Sequence, residues 1–245
     1  MIRSFSYVVR DLIIVSALFY SAVRLPQLDA PLYASVPLWA LYSFVQGCFF
    51  TGLWILAHDC GHDSFSANLT VNAVTGWFLH SMLMVPFFSW KFSHARHHRY
   101  HNHMEKDTVF VPHRKSEAKT NPTMLEKIMD HTAADTPIVT VAALIFHQVL
   151  GWPAYILMNA GAGVKSLTKS DRTKSSAYKQ SHLDPTAHVF TPSEAPFVAL
   201  SNLGLLITMS ALYLASQSVG CRTVLLAYGL PYLWMNHWIG KIIIL

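Results

Sequence analysis

Charged residues are so sparse along this chain that the gaps between them set its organisation. Five stretches without Asp, Glu, Lys or Arg cover residues 30–57, 64–90, 136–164, 195–221 and 223–240, with lengths of 28, 27, 29, 27 and 18. A shorter apolar run, residues 12–23, lies between Asp11 and Arg24. About 20 apolar residues span a bilayer, and the core helices of soluble domains are seldom so long. None of the stretches alternates apolar and polar positions as a barrel strand would, and lipid tolerates only helices and closed barrels. The pattern therefore predicts an all-α, multi-pass integral membrane protein.

The stretches are not equivalent. Residues 37–57 are rich in Leu, Phe and Trp, with Pro37 suited to a first helical turn, and residues 195–215 are similarly clean. Residues 12–23 make only ~18 Å of helix, so spanning requires residues 7–11 as well, with Arg10 snorkelling to the surface. Residues 64–90 carry Asn68, Asn72, His80 and Pro86, and residues 136–164 carry His147 and Gly151-Trp152-Pro153. Both read as interfacial or re-entrant segments.

Composition changes this picture in one respect. The hydrophobic class makes up 52% of the chain and charged residues 13%, half the ~25% of soluble domains, which the membrane segments explain. Histidine is the anomaly: 14 residues, more than the 13 Asp and Glu together. The net charge of +5 is too thinly spread for a nucleic-acid surface. Lys165, Lys169, Arg172, Lys174 and Lys179 form one basic stretch that reads as a membrane-facing or cytoplasmic loop. Cys48, Cys60 and Cys221 have no CxxC spacing, so neither a disulfide framework nor a thiolate zinc site is implied. No small-residue cleavage site follows the first apolar run, which reads as an anchor rather than a signal peptide.

The histidines cluster beside the membrane segments. HDCGH occupies residues 58–62, and WKFSHARHHRYHNH residues 90–103. If the preceding helix continues one turn past Ala57, His58 and His62 share a face at i and i+4, with Gly61 leaving room for close approach. His94, His97 and His98 share a face at i, i+3 and i+4. Imidazoles so spaced suit iron, zinc or copper. His101, four residues after His97, is a possible further ligand or a solvated side chain; His103 reads as solvated. His80 and His147 read as packed or interfacial, and His113, His131, His182, His188 and His237 have no partner spacing. If both clusters serve one metal site they lie on one side of the membrane, so residues 64–90 do not cross as a simple span. The same holds for 136–164 if the basic loop is on that side. Four segments then remain, pairing as two hairpins with both termini on the histidine side.

At this point the residues resemble a known family, the membrane-bound fatty acid desaturases, and within it the delta-12/omega-3 acyl-lipid branch in a fungal style. HDCGH matches the family's first histidine box and HARHH its second; GWPAYILMNA, HLDPTAHVFTPSEAPFVALSNLGLLIT and YGLPYLWMNHW extend the likeness over nearly the whole chain. The resemblance implies about four transmembrane helices in two hairpins, interfacial helices and a cytosolic histidine-rich cap, in the endoplasmic reticulum membrane. It implies two non-haem irons held by His58, His62, His94, His97 and His98, with His101 as a possible addition and Asp59 orienting a ligand imidazole. The reaction implied is O2-dependent desaturation of an acyl-lipid or acyl-CoA, oleoyl to linoleoyl in type. Cytochrome b5 and its reductase would supply electrons, since no haem-domain HPGG occurs in the chain.

Residues 1–245 read as one desaturase domain that lacks the family's third, HxxHH box; the tail GKIIIL breaks from the family pattern. A product shortened at both ends is the expectation. Two alternatives accompany it. One is a catalytically inactive, metal-binding desaturase-like protein. The other is an intramembrane zinc metalloprotease, in which HDCGH mimics HExxH with Asp59 in place of the Glu.

Overall fold

The computed structural model describes residues 2–112 and 137–244. His113 and His131 lie outside them. Among the described residues every regular element is helical. The chain divides into two compact units, residues 1–91 with 199–245, and residues 92–198.

The first unit opens with α1 (Ile2–Arg24), which extends the apolar run 12–23 back through the polar residues before it. Its 23 residues make ~35 Å of helix, but α1 is not among the helices apolar enough to cross a membrane. Asp11 is buried and accepts a hydrogen bond at 2.8 Å from Arg10, whose side chain turns outward and is 57% exposed. A 3₁₀ turn (Leu25–Leu28) leads into α2 (Leu32–Gly61). α2 starts five residues ahead of Pro37, because the Pro31 carbonyl accepts the Ala34 and Ser35 N–H groups at 2.9 Å. Pro37 consequently lies inside the helix rather than at its first turn.

α3 (Leu69–Met82) is capped by Asn68, whose Oδ1 accepts the Thr70 and Val71 N–H groups. It meets α4 (Phe87–Tyr100) at a bend of 108°. Pro86 and Met84, the latter in the left-handed region at φ 55°, make the break. Residues 64–90 thus do not form one straight span, as the shared-side argument requires. After Gly220 at φ 85° the chain continues as α7 (Cys221–Val224), a π turn (Leu225–Gly229) and α8 (Leu230–Ile244). α8 packs on α2 at Gly47, where any Cβ would overlap the Trp234 side chain. Tyr42 on α2 donates to the Ala227 carbonyl at 2.8 Å.

The second unit contains most of α4, α5 (Pro137–Met158) and a long loop with two 3₁₀ turns, Arg172–Lys174 and Ala177–Gln180. Leu167, Ala187, Val189, Phe190 and Val198 form its small core, with Phe92 against it. α6 (Ala195–Val219) leads back into the first unit.

Three described helices are long and apolar enough to cross a membrane: Leu32–Gly61, Thr140–Met158 and Ala195–Val219; the bent pair α3–α4 makes a fourth if it counts as one span. The apolar window of α2 is half buried, but those of α5 and α6 are 17% buried. Side chains such as Leu144, Ile145, Leu206 and Ile207 are exposed. Two such faces would be strongly unfavourable in water and are natural in lipid. Thr140–Met158 belongs to a stretch that the sequence suggested was interfacial or re-entrant, and its length and apolarity equally qualify it as a span.

Candidate metal centre

α2 does continue past Ala57, ending at Gly61 with the His62 N–H bonded to the His58 carbonyl at 3.1 Å. The extra turn brings the two imidazoles together, Nε2 to Nε2 3.3 Å. Aromatic rings brace this pair. Trp54, one turn earlier, lies 5.4 Å from the His58 ring, and Trp90 lies 5.4 Å from it on another side. Behind them His80 is fully buried, its ring within 5.0–5.5 Å of Trp90, Trp54 and Phe87. The packing expected for His80 is what the structure has. Gly61 has a definite reason: a Cβ there would stand 2.6 Å from the Trp90 ring. Asp59 is about half exposed, with Oδ1 3.6 Å from His58 Nδ1, beyond direct hydrogen-bond range.

On α4 the second set is held by hydrogen bonds. His94 and His98 oppose each other, Nε2 to Nε2 3.0 Å. His97 places Nδ1 2.7 Å from Asp107 Oδ1, and the same oxygen accepts the Val109 N–H at 2.9 Å. Asp107 is almost fully buried. A carboxylate at Nδ1 fixes the imidazole tautomer with the proton on Nδ1, which leaves the Nε2 lone pair for a metal. Beneath the helix, Ser93 Oγ lies 2.6 Å from the Tyr155 hydroxyl and 3.2 Å from His182 Nε2. The His182 N–H donates to the Ile156 carbonyl at 2.7 Å. His182 is fully buried, and that burial pushes its imidazole down to about 4, so it is neutral at physiological pH. Arg96, on the same helix, makes a two-pronged ion pair with Glu194. His101 follows α4, exposed, with its ring 5.2 Å from His97. His103 Nδ1 accepts the Glu105 N–H and caps a turn.

Each unit thus carries one pair of facing imidazoles, His58 with His62 in the first and His94 with His98 in the second. The donor chemistry fits a transition metal. Imidazole nitrogens bind such ions at about 2.0–2.1 Å, so two that share one ion at 90–110° lie roughly 2.8–3.4 Å apart. The two observed Nε2 pairs, at 3.3 and 3.0 Å, have that spacing. Asp107, Ser93, Tyr155 and His182 were not singled out by the sequence. Asp107 follows His97 by ten residues with no periodic signal, and His182 meets Ser93 across 89 residues.

The chain matches the family described as fatty acid desaturase over residues 34–242. It is 36% identical to an oleate hydroxylase of Claviceps purpurea, covering 98% of this chain and 52% of that protein. It is 36% identical to a delta(12) fatty acid desaturase of Mortierella isabellina (97% and 58%) and 35% identical to one of Arabidopsis thaliana (96% and 56%). The chain thus spans little more than half the length of these relatives. No solved structure matches it.

Proposed function

The chain belongs to the fatty acid desaturase family, and from that premise we propose that it performs O2-dependent desaturation of an acyl chain, oleoyl to linoleoyl in type. The two facing imidazole pairs, His58–His62 and His94–His98, are the observation that carries this reading. On this reading His58, His62, His94, His97 and His98 would hold two irons, with His101 available as a further ligand. Iron bound there would supply the O2 activation needed to take two hydrogens from adjacent, unactivated methylenes. The acyl chain loses two hydrogens and gains a double bond. O2 takes up two further electrons and two protons and leaves as two waters. Cytochrome b5 and its reductase are the proposed electron source, and the endoplasmic reticulum membrane, with the histidines facing the cytosol, is the proposed location.

The chain's own residues prepare this chemistry. Asp107 holds His97 in one tautomer and one orientation. Asp59, at 3.6 Å and half exposed, acts on His58 more weakly. Trp54 and Trp90, backed by His80 and Phe87, set apolar rings against His58. The relatives named for delta(12) desaturation support the oleoyl-type substrate.

A second reading has its own support, since the Claviceps purpurea relative, matched at the same identity, is named as an oleate hydroxylase. Hydroxylation differs in the last step: one oxygen atom enters the chain, the other leaves as water, and no second hydrogen is removed. Expression in a yeast rich in oleate and free of linoleate decides between them. This chain, and this chain joined to the remaining length of the Mortierella isabellina relative, would be analysed by gas chromatography and mass spectrometry. A new C18 diene supports desaturation and a hydroxylated C18 monoene supports hydroxylation. Neither product, or a single zinc in place of iron in the purified protein, overturns both.

A further inference from the structure

A cavity of about 220 Å³ lies within the second unit, at the outer end of α4. Among the described residues four cations line it: Arg96, Arg99, Lys106 and Lys165. Two are already committed. Arg96 is held by Glu194 and by the Val189 carbonyl, and Lys165 pairs with Glu105 at 2.8 Å. The other two have no carboxylate partner among the described residues; Lys106 leans over the Tyr100 ring at 5.4 Å, and Arg99 is exposed. Among the described residues the cavity therefore keeps two positive charges without a carboxylate partner, in a space where like charges repel.

A second observation concerns Ser166, which lines the same cavity. Its side chain is 6% exposed, and its Oγ has no hydrogen-bond partner. A buried hydroxyl left unpaired is destabilising and calls for a ligand to complete it. The missing group must accept hydrogen bonds and carry negative charge. A phosphate does both, taking bonds from guanidinium, ammonium and hydroxyl together. Size restricts the assignment further. At 220 Å³ the cavity is below the ~300–1,000 Å³ of pockets that hold a whole ligand, so it fits a head group and not an acyl chain.

We propose that the cavity between Arg99, Lys106 and Ser166 binds the phosphate of the molecule that carries the acyl chain. This rests on the acyl-desaturation reading and adds to it a site for the substrate's polar end. The phosphate belongs either to a phospholipid head group or to coenzyme A, and one assay distinguishes them. The purified, iron-loaded chain in dodecyl maltoside micelles is titrated with coenzyme A, with dihexanoyl phosphatidylcholine, and with uncharged dihexanoylglycerol, and binding is read by microscale thermophoresis. At least one phosphate compound binds saturably, and its affinity falls as salt is raised. Arg99→Gln combined with Lys106→Gln weakens it at least about tenfold, and Ser166→Ala about threefold, with Tm unchanged in the double variant. Binding of coenzyme A alone assigns a thioester substrate; binding of the phosphatidylcholine alone assigns an acyl-lipid. The proposal is overturned if neither binds, if dihexanoylglycerol binds as well as they do, or if the double variant keeps wild-type affinity. Because binding needs neither O2 nor electrons, a chain that makes diene without phosphate binding sinks only the cavity assignment. A chain that binds phosphate and oxidises no acyl chain sinks only the desaturase reading.

Discussion

Around His58 the neighbours are rings: Trp54 and Trp90 at 5.4 Å, with His80 and Phe87 packed behind them. Around His94, His97 and His98 they are hydrogen-bonding groups: Asp107 on His97, and Ser93, Tyr155 and His182 beneath the helix. Two imidazole pairs with similar spacing are thus fixed by different forces. Packing fixes a ring by volume. A buried carboxylate fixes the tautomer and the ring plane together. Asp59 could have given the first pair the same control, but at 3.6 Å and half exposed it does not make the bond. The first set should therefore fail through loss of shape and the second through loss of charge.

The largest effect should ignore the difference altogether. Removing one imidazole from either set, His58→Ala or His94→Ala, is expected to abolish product and reduce bound iron by more than the 10–100-fold that loss of an outer partner costs. Iron content and product yield, measured on both variants, check this. A wild-type yield in either one would show that its set is not part of the centre.

Next comes shape. Trp90 is 2% exposed and touches His58, His80 and Trp54, and its ring sits over Gly61. Trp90→Ala is expected to destabilise the protein by about 3–5 kcal/mol, read as a drop in Tm. Gly61→Ala should destabilise for the converse reason, by forcing the ring away. If Trp90→Ala leaves Tm within a degree of wild type, packing does not hold the first set.

Charge is third. Asp107→Asn keeps the shape and removes the carboxylate, and should cost 10–100-fold in iron affinity with little change in fold. Asp59→Asn should cost less than about threefold. Competition with a chelator measures both, and equal losses would erase the distinction between the two sets.

Much of this was legible in the sequence. The long charge-free runs correspond to α2, α5 and α6, because a bilayer demands length and apolarity that composition records directly. The i, i+4 spacing placed His58 with His62, and His94 with His98, because helical periodicity is local. What the sequence did not reveal is long-range. Ser93 and His182 meet across 89 residues, and Trp90 reaches Gly61 across 29. No repeat or spacing announces such pairs. Asp107 was closer to hand, ten residues from His97, but its partner is set by the turn after α4 rather than by a helical face. His182, whose spacing suggested no partner, turned out to be a buried member of the network beneath the second set.

That residue gives the smallest and most selective effect. His182 titrates near 4 in the fold, because burial disfavours its charged form, and near 6.5 in an unfolded chain. Between those values the unfolded chain binds a proton that the folded one refuses. The contribution to stability is therefore complete above pH 6.5 and is lost as pH falls toward 4, by about 1.4 kcal/mol for each unit. His182→Gln keeps a hydrogen-bonding group for Ser93 and removes the titration. Its Tm should lie below wild type at pH 7.5, and the gap should close as pH is lowered to 5. Carboxylates titrate in the same range, but they are common to both proteins and cancel in the difference. A gap that stays constant with pH would mean that His182 is not the neutral, buried imidazole bonded to Ser93.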